Sequence, residues 1–143
     1  MKCIFCEFIS GKRKIHLNGY PFLILNKTKS TICFLSEDIP EKGFHILLLP
    51  KRHFSYLEGI PEKIFNGLMK QLKSIVKKIR TKESGCNVLM NEGISAGQKI
   101  NHIHFHIISR HKNDNIRIES WKRKKIRKKE FMELNKQAKI LLK

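Results

Sequence analysis

The sequence predicts a fold of helix plus antiparallel sheet: a meander sheet with one long helix packed on it and a basic C-terminal extension. Three observations carry this. Short β-rich runs in the first fifty residues are parted by polar, Gly- and Pro-containing stretches, as hairpin turns are. One later stretch repeats apolar residues at helical spacing. Charge then concentrates beyond Arg110. With 143 residues the chain suits one domain rather than two, and 41% hydrophobic residues, nine of them Phe, suffice for a core.

Taken in order, the strand candidates are Phe22 to Leu25, Thr31 to Leu35 and Phe44 to Leu49, joined through Asn-Lys-Thr-Lys and Asp-Ile-Pro-Glu-Lys-Gly. Pro61 can open a helix in which Ile64, Phe65, Leu68, Met69, Leu72, Ile75, Val76 and Ile79 form one apolar stripe. That stripe should cover a sheet face and leave Lys63, Lys70, Lys73, Lys77 and Lys78 solvated. Gly85 suits the stop after the helix, Cys86 to Met90 reads as a strand, and Asn91 to Gln98 as a small-residue loop. From His102 to Ser109 apolar residues alternate with histidines, so a strand would put His102, His104 and His106 on one face and Ile103, Phe105 and Ile107 on the other. A further helix is expected around Phe131, Leu134, Ala138 and Leu141.

Composition excludes some functions. Thirty Lys and Arg against twelve Asp and Glu leave a net charge of +18, which favours phosphate-bearing partners over polycationic ones. AT-rich coding accounts for such a charge equally well. No apolar run approaches the roughly 18 residues of a membrane span, so insertion is not expected. The opening Met-Lys-Cys-Ile-Phe-Cys-Glu lacks signal-peptide features, so a cytoplasmic location is expected. Thiols stay reduced there, and Cys3 and Cys6, spaced C-x-x-C, suit metal ligands or a redox pair. The redox reading would want a strand before the pair, and none is evident. Cys33 and Cys86 read as inert core thiols.

Three imidazoles on one strand face do not help a core, so a chemical use explains them better. Two uses compete, metal chelation and nucleophilic attack. A hydrolytic zinc site normally wants a carboxylate close by, and only Glu92 and Asp114 offer themselves, neither within the motif. The preceding loop favours the nucleophile: Gly93, Ala96 and Gly97 let backbone amides approach a phosphate, and Asn91 and Gln98 add neutral hydrogen-bonding groups.

At these residues the sequence resembles the histidine triad family of nucleotide hydrolases and transferases. His102-Ile-His104-Phe-His106-Ile-Ile fits the signature, Asn91-Glu-Gly with Ala-Gly-Gln is similar to the preceding loop, and His45-Ile-Leu-Leu-Leu-Pro50-Lys-Arg-His53 is similar to an upstream strand. Cys3-Ile-Phe-Cys6 resembles the opening of the zinc-containing branch. The resemblance spans residues 3 to about 111 and implies an α+β domain over 1–110, followed by a basic extension over 111–143 that packs on it or trails from it.

It further implies that His104 attacks the α-phosphorus of a nucleotide, an adenosine derivative for example, to form a nucleotidyl-histidine intermediate. An imidazole, with an ordinary pKa of about 6.5, is largely neutral and nucleophilic near pH 7, and it splits one hard step into two. His106 would contact the transferring phosphate or leaving oxygen, while Asn91, Gly97, Gln98 and His45 would support the phosphate. The ribose contact falls among Ser36, Glu37 and Asp38. Lys99 stands where the phosphoramidate-cleaving branch often has a hydroxyl residue, and Ser109 where a proline is common. The zinc branch implies one structural zinc on Cys3, Cys6, His53 and His102, no catalytic metal, and a homodimer that joins two sheets.

Residues 110–143 hold thirteen Lys or Arg and four Asp or Glu, a net +9. A solvated helix face accounts for part of this. Lys122 to Lys129 beside Trp121 also suit nucleic acid, through phosphate contacts and base stacking. The rival to a small-nucleotide enzyme is therefore a nucleic-acid-binding protein with the same pocket, or an enzyme removing adenylate from DNA ends.

Overall fold

The computed structural model describes residues 3–118, 120 and 123–142. Its centre is a five-stranded antiparallel sheet in the order β1-β2-β3-β5-β4, built from β1 (Ile24–Lys27), β2 (Thr31–Leu35), β3 (His45–Pro50), β4 (Gly85–Met90) and β5 (Phe105–Arg110). The first three strands form the expected meander. The chain then crosses through α2 (Glu62–Arg80) to the far edge and returns, so that β5 fills the centre between β3 and β4. Helices α1 (Ile4–Ile9) and α3 (Lys128–Leu141) flank this unit in sequence. No described helix is long and apolar enough to cross a membrane.

Two apolar layers sandwich the sheet. The stripe of α2 packs Leu68 and Ile79 against Cys33, Leu48, Ile103, Phe105 and Ile107 on one face, and the five lysines named above are exposed. Buried apolar area of this kind is the main stabilising contribution to a domain of this size. On the opposite face α1 drives Phe5 and Phe8 against Ile32, Phe34, Leu47 and Leu49. Phe22 stacks on Phe8 with ring centroids 4.3 Å apart. It therefore belongs to this aromatic layer rather than to a strand: the expected strand Phe22–Leu25 instead starts at Ile24, and its four residues are all exposed.

The histidine segment also departs from expectation. Pairing as β5 begins only at Phe105, opposite Leu48 and Met90. Residues 102–104 precede the ladder: the His102 amide bonds to the Ile100 carbonyl at 2.8 Å and the Ile103 amide to the Phe54 carbonyl at 2.7 Å. The alternation still holds, because Ile103 and Ile107 are fully buried on the α2 side.

Ser109, where a proline was expected to be common, is fully buried. Its amide donates to the Phe44 carbonyl at 3.0 Å, and its Oγ accepts from the Phe44 amide at 2.8 Å. Proline could make neither bond. Gly43, next to it with φ of +92°, leaves no room for a Cβ beside Ser109 Oγ.

After β5 the chain is tied back at its start. Arg110 pairs with Asp114 at 2.7 and 2.9 Å and bonds the Ile116 carbonyl at 2.9 Å. No α3 side chain is buried, and Phe131, Leu134 and Leu141 of the expected apolar stripe are exposed. Trp121 and Lys122 lie outside the described residues.

Candidate active site and metal centre

Cys3 precedes α1 and Cys6 lies in its first turn, a three-residue spacing that places both thiols on one side of the helix. The fully buried ring of His102 meets them: its Nδ1 is 3.5 Å from Cys3 Sγ and 3.7 Å from Cys6 Sγ. His53 Nδ1 is 3.5 Å from Cys6 Sγ. One ligand atom from each of the four residues falls within 4.8 Å of all the others. Tetrahedral zinc, with sulfur at roughly 2.3 Å and nitrogen at roughly 2.0 Å, sets sulfur and nitrogen roughly 3.6 Å apart, so the donor set fits such an ion.

Second-layer contacts suit the same ion. His102 Nε2 donates to the Pro50 carbonyl at 2.9 Å, which leaves Nδ1 as the lone-pair nitrogen aimed at the thiols. Burial holds the His102 pKa down to about 4, so the ring stays neutral as a ligand must. Burial and the neighbouring Cys3 push the Cys6 thiol up to about 11, so a pair of thiolates here calls for a cation between them.

Two residues further on, His104 Nδ1 donates to the His102 carbonyl at 2.7 Å. A carbonyl only accepts, so Nδ1 carries the proton and Nε2 keeps its lone pair. The ring is 5% exposed, and burial lowers its pKa below the usual imidazole value. Phe5 meets it edge-on at 5.1 Å between ring centroids. His106, on β5, lies 4.7 Å from His104 between centroids, and its Nδ1 is 2.9 Å from His45 Nε2. His45 Nδ1 in turn donates to the Asp38 carbonyl at 2.6 Å. Burial holds His106 down to about 4, with His104 and His45 adding to the effect. In their neutral forms the bonds run one way, from His106 Nδ1–H to His45 and from His45 Nδ1–H to Asp38.

A cleft of about 710 Å³ opens over these rings. His45, Asn91, Gly97, His104 and His106 line it, as do Lys99 and all three ribose candidates, Ser36, Glu37 and Asp38. Gly97 has φ of +84°, and a Cβ there would come within 3.7 Å of Asn91 Nδ2. Gln98 behaves differently from the others. Its Oε1 accepts from the Gly93 amide at 2.8 Å, closing the loop, and the residue is not part of the cleft wall. Sequence reasoning missed His16, which lines the cleft with its ring 5.0 Å from that of Phe8. Nothing in its local sequence distinguishes it from any loop histidine.

The carboxylates that a hydrolytic metal would have needed are engaged elsewhere. Glu92 accepts from the Leu57 amide at 2.8 Å, and Asp114 is held by Arg110, which keeps its carboxyl well below the usual carboxylate range.

An antiparallel sheet whose central strand, with the segment entering it, carries three alternating histidines, His104 and His106 facing a cleft and His102 facing two thiols, defines a histidine triad domain. The HIT domain family matches residues 21–113, and the chain belongs to that family. It is 33% identical over 112 residues to the adenosine 5'-monophosphoramidase of Candida albicans, covering 74% of this chain and 68% of that one. It is 32% identical over 114 residues to an adenylylsulfatase of Arabidopsis thaliana, covering 78% of this chain and 54% of that protein. Among solved structures, a HIT family protein of Bacillus subtilis superposes with a TM-score of 0.77 at 25% identity, covering 96% and 95% of the two chains.

Proposed function

We propose that the chain is a nucleotide hydrolase or transferase that cleaves a phosphoramidate or phosphoanhydride bond at the α-phosphorus of an adenosine nucleotide, through a nucleotidyl intermediate on His104. The observation that carries this reading is the bond from His104 Nδ1 to the His102 carbonyl, which leaves Nε2 as an unprotonated nucleophile. Nε2 attacks phosphorus, and the bond to the leaving group breaks with its electron pair. Water then attacks the phosphorus, the P–N bond returns its electrons to Nε2, and the nucleoside monophosphate is released. The proton lost by the attacking water goes to solvent when the leaving group is an anion, and replaces the proton drawn from solvent by the leaving nitrogen when it is an amine.

His106 contacts the transferring phosphate, supported by His45. Asn91 offers its side-chain amide to the developing charge and Gly97 lets the phosphate approach the backbone, while the amides of Gly93, Ala96, Gly97 and Gln98 are bonded within the loop and hold its shape. Gln98 acts by shaping the loop. The ribose end falls to Ser36, Glu37 and Asp38, and the apolar end formed by Phe8 and His16 suits a purine. The relatives named as a phosphoramidase and an adenylylsulfatase support an adenylyl group as the part transferred.

In this reading Cys3, Cys6, His53 and His102 hold one structural zinc per chain, whose chemistry is to cross-link α1 to the histidine segment. The reaction needs no catalytic metal. The chain acts as a cytoplasmic homodimer; β4 is an open sheet edge beside a groove lined by Met69, Leu72, Val76 and Val88 and rimmed by Lys73, Lys77, Arg80 and Thr81, and sedimentation velocity checks the pairing.

The test is a panel of adenosine 5'-phosphoryl compounds offered to the wild type and to His104→Ala. Release of AMP by the wild type and its loss in the variant support the reading; equal turnover by both would refute it.

A further inference from the structure

The cleft is electrically asymmetric. Its acidic residues, Glu37 and Asp38, belong to the connection between β2 and β3, beside the end of β5 where His45 pairs with Ile108. Lys99 belongs to the connection that enters β5 at its other end, next to Gly97 and on the same side as Asn91. About four strand residues separate the two ends, roughly 13 Å, with His104 and His106 between them. Among the described residues Lys99 is the only lysine or arginine lining the cleft, and it forms no ion pair with a described acid. A cation kept free of carboxylates at one end of a phosphate cleft is matched by an anion from the ligand.

Building on the nucleotidyl-transfer reading, we propose that Lys99 is a specificity residue that receives the leaving group and selects substrates in which that group departs as an anion, a sulfate or phosphate, over those that release an amine. The chemistry differs between the two classes. When a sulfate or phosphate leaves, the P–O bond breaks, both electrons go with oxygen, and no proton is needed at the leaving atom. A nearby ammonium then lowers the energy of the departing charge. When an amine leaves, the P–N bond breaks only as the nitrogen takes up a proton, and a fixed positive charge opposes the ammonium that forms. The acidic end of the cleft repels an anionic leaving group, so the substrate binds in one direction, with its nucleoside toward Glu37 and Asp38 and its leaving group toward Lys99.

The experiment compares kcat/KM for adenosine 5'-phosphosulfate and for an adenosine 5'-phosphoramidate bearing an uncharged alkylamine, in wild type, Lys99→Ser, Lys99→Glu and Lys99→Arg. Lys99 is exposed, so these changes leave both apolar layers intact. Lys99→Ser is expected to lower the phosphosulfate-to-phosphoramidate ratio about tenfold, equivalent to losing one charged hydrogen bond, with a larger fall in Lys99→Glu and near-wild-type ratio in Lys99→Arg. Added salt should narrow the wild-type ratio and leave that of Lys99→Ser unmoved. A ratio unchanged in Lys99→Ser, while both substrates are turned over, would overturn the role of Lys99 and leave nucleotidyl transfer standing. Failure of the wild type on both substrates would remove the transfer reading and this proposal with it.

Discussion

The main-chain oxygen of His102 accepts from Nδ1 of His104 at 2.7 Å, so the residue whose ring faces two thiols also sets the tautomer of the ring in the cleft. The proposed metal site and the proposed nucleophile are thus adjacent through one carbonyl. A structural ion on Cys3, Cys6, His53 and His102 would hold the His104 imidazole in register and take no part in the proposed reaction.

On the proposed mechanism, replacing His104 by Ala removes the nucleophile and leaves the other cleft residues, His45, Asn91, Gly97 and His106, in place. We expect kcat/KM for adenosine 5'-phosphoramidate to fall by roughly 10³-fold or more, with nucleotide affinity changed far less. Steady-state kinetics together with calorimetric AMP binding check both halves.

Burial of His106 makes the pH profile unusual. Its pKa, about 4 against an ordinary 6.5, keeps the ring neutral well below the usual imidazole range. The pH dependence of kcat/KM, which reports the free enzyme, should therefore show no loss centred at 6.5 from this ring, and its protonation should cut activity only as pH approaches 4. Stability follows the same shift. Above 6.5 the ring is neutral in folded and unfolded chains alike; as pH falls from 6.5 toward 4 the unfolded chain takes up a proton that the folded chain resists, so stability is lost across that window. Urea melts at pH 7.5, 6 and 5 should give a steadily lower midpoint.

Metal analysis of the untagged protein is expected to give one zinc per chain. Cys6→Ser should abolish binding and lower the melting temperature by roughly 10 °C or more, since an ion on the proposed site would tie α1 to His102. The reaction should need no added magnesium. A fully active, metal-free preparation of unchanged stability would contradict the assigned centre.

Ser109→Ala leaves the Phe44 amide without its side-chain acceptor and should cost about 1–2 kcal/mol. Ser109→Pro also removes the amide that meets the Phe44 carbonyl and should cost more. Chemical denaturation of both variants measures the difference.

What could be read in the sequence follows from how long each physical signal runs. Helix α2 carries its 3.6-residue period over five turns, and its apolar stripe does face the core. Strand β2 falls on its expected residues, Thr31–Leu35, because four of the five are buried and apolar or β-branched. Helix α1 spans only six residues, too short for a period to show, and Cys3 and Cys6 are recognisable from their spacing rather than from the helix that presents them. Strand β1 lies at Ile24–Lys27, two residues beyond the expected Phe22–Leu25, because its side chains are all exposed while Phe22 next to it is drawn into the stack with Phe8.

The candidate site shows the same division. Alternation alone separates His102, His104 and His106 from the core residues between them. Which side chain of the loop turns inward is decided by closure of the loop itself, so Gln98 reaching Gly93 rather than the cleft was not readable. Nor was the arrival of His16, brought to the cleft by packing on Phe8 and Phe22.

The most direct measurement is intact-protein and peptide mass spectrometry after rapid acid-free quenching of the protein with an adenosine 5'-phosphoramidate. The account predicts a transient gain of one adenylyl group, mapped to His104 and missing from His104→Ala. An adduct on any other residue, or full turnover with no adduct at the earliest quench times, would contradict it.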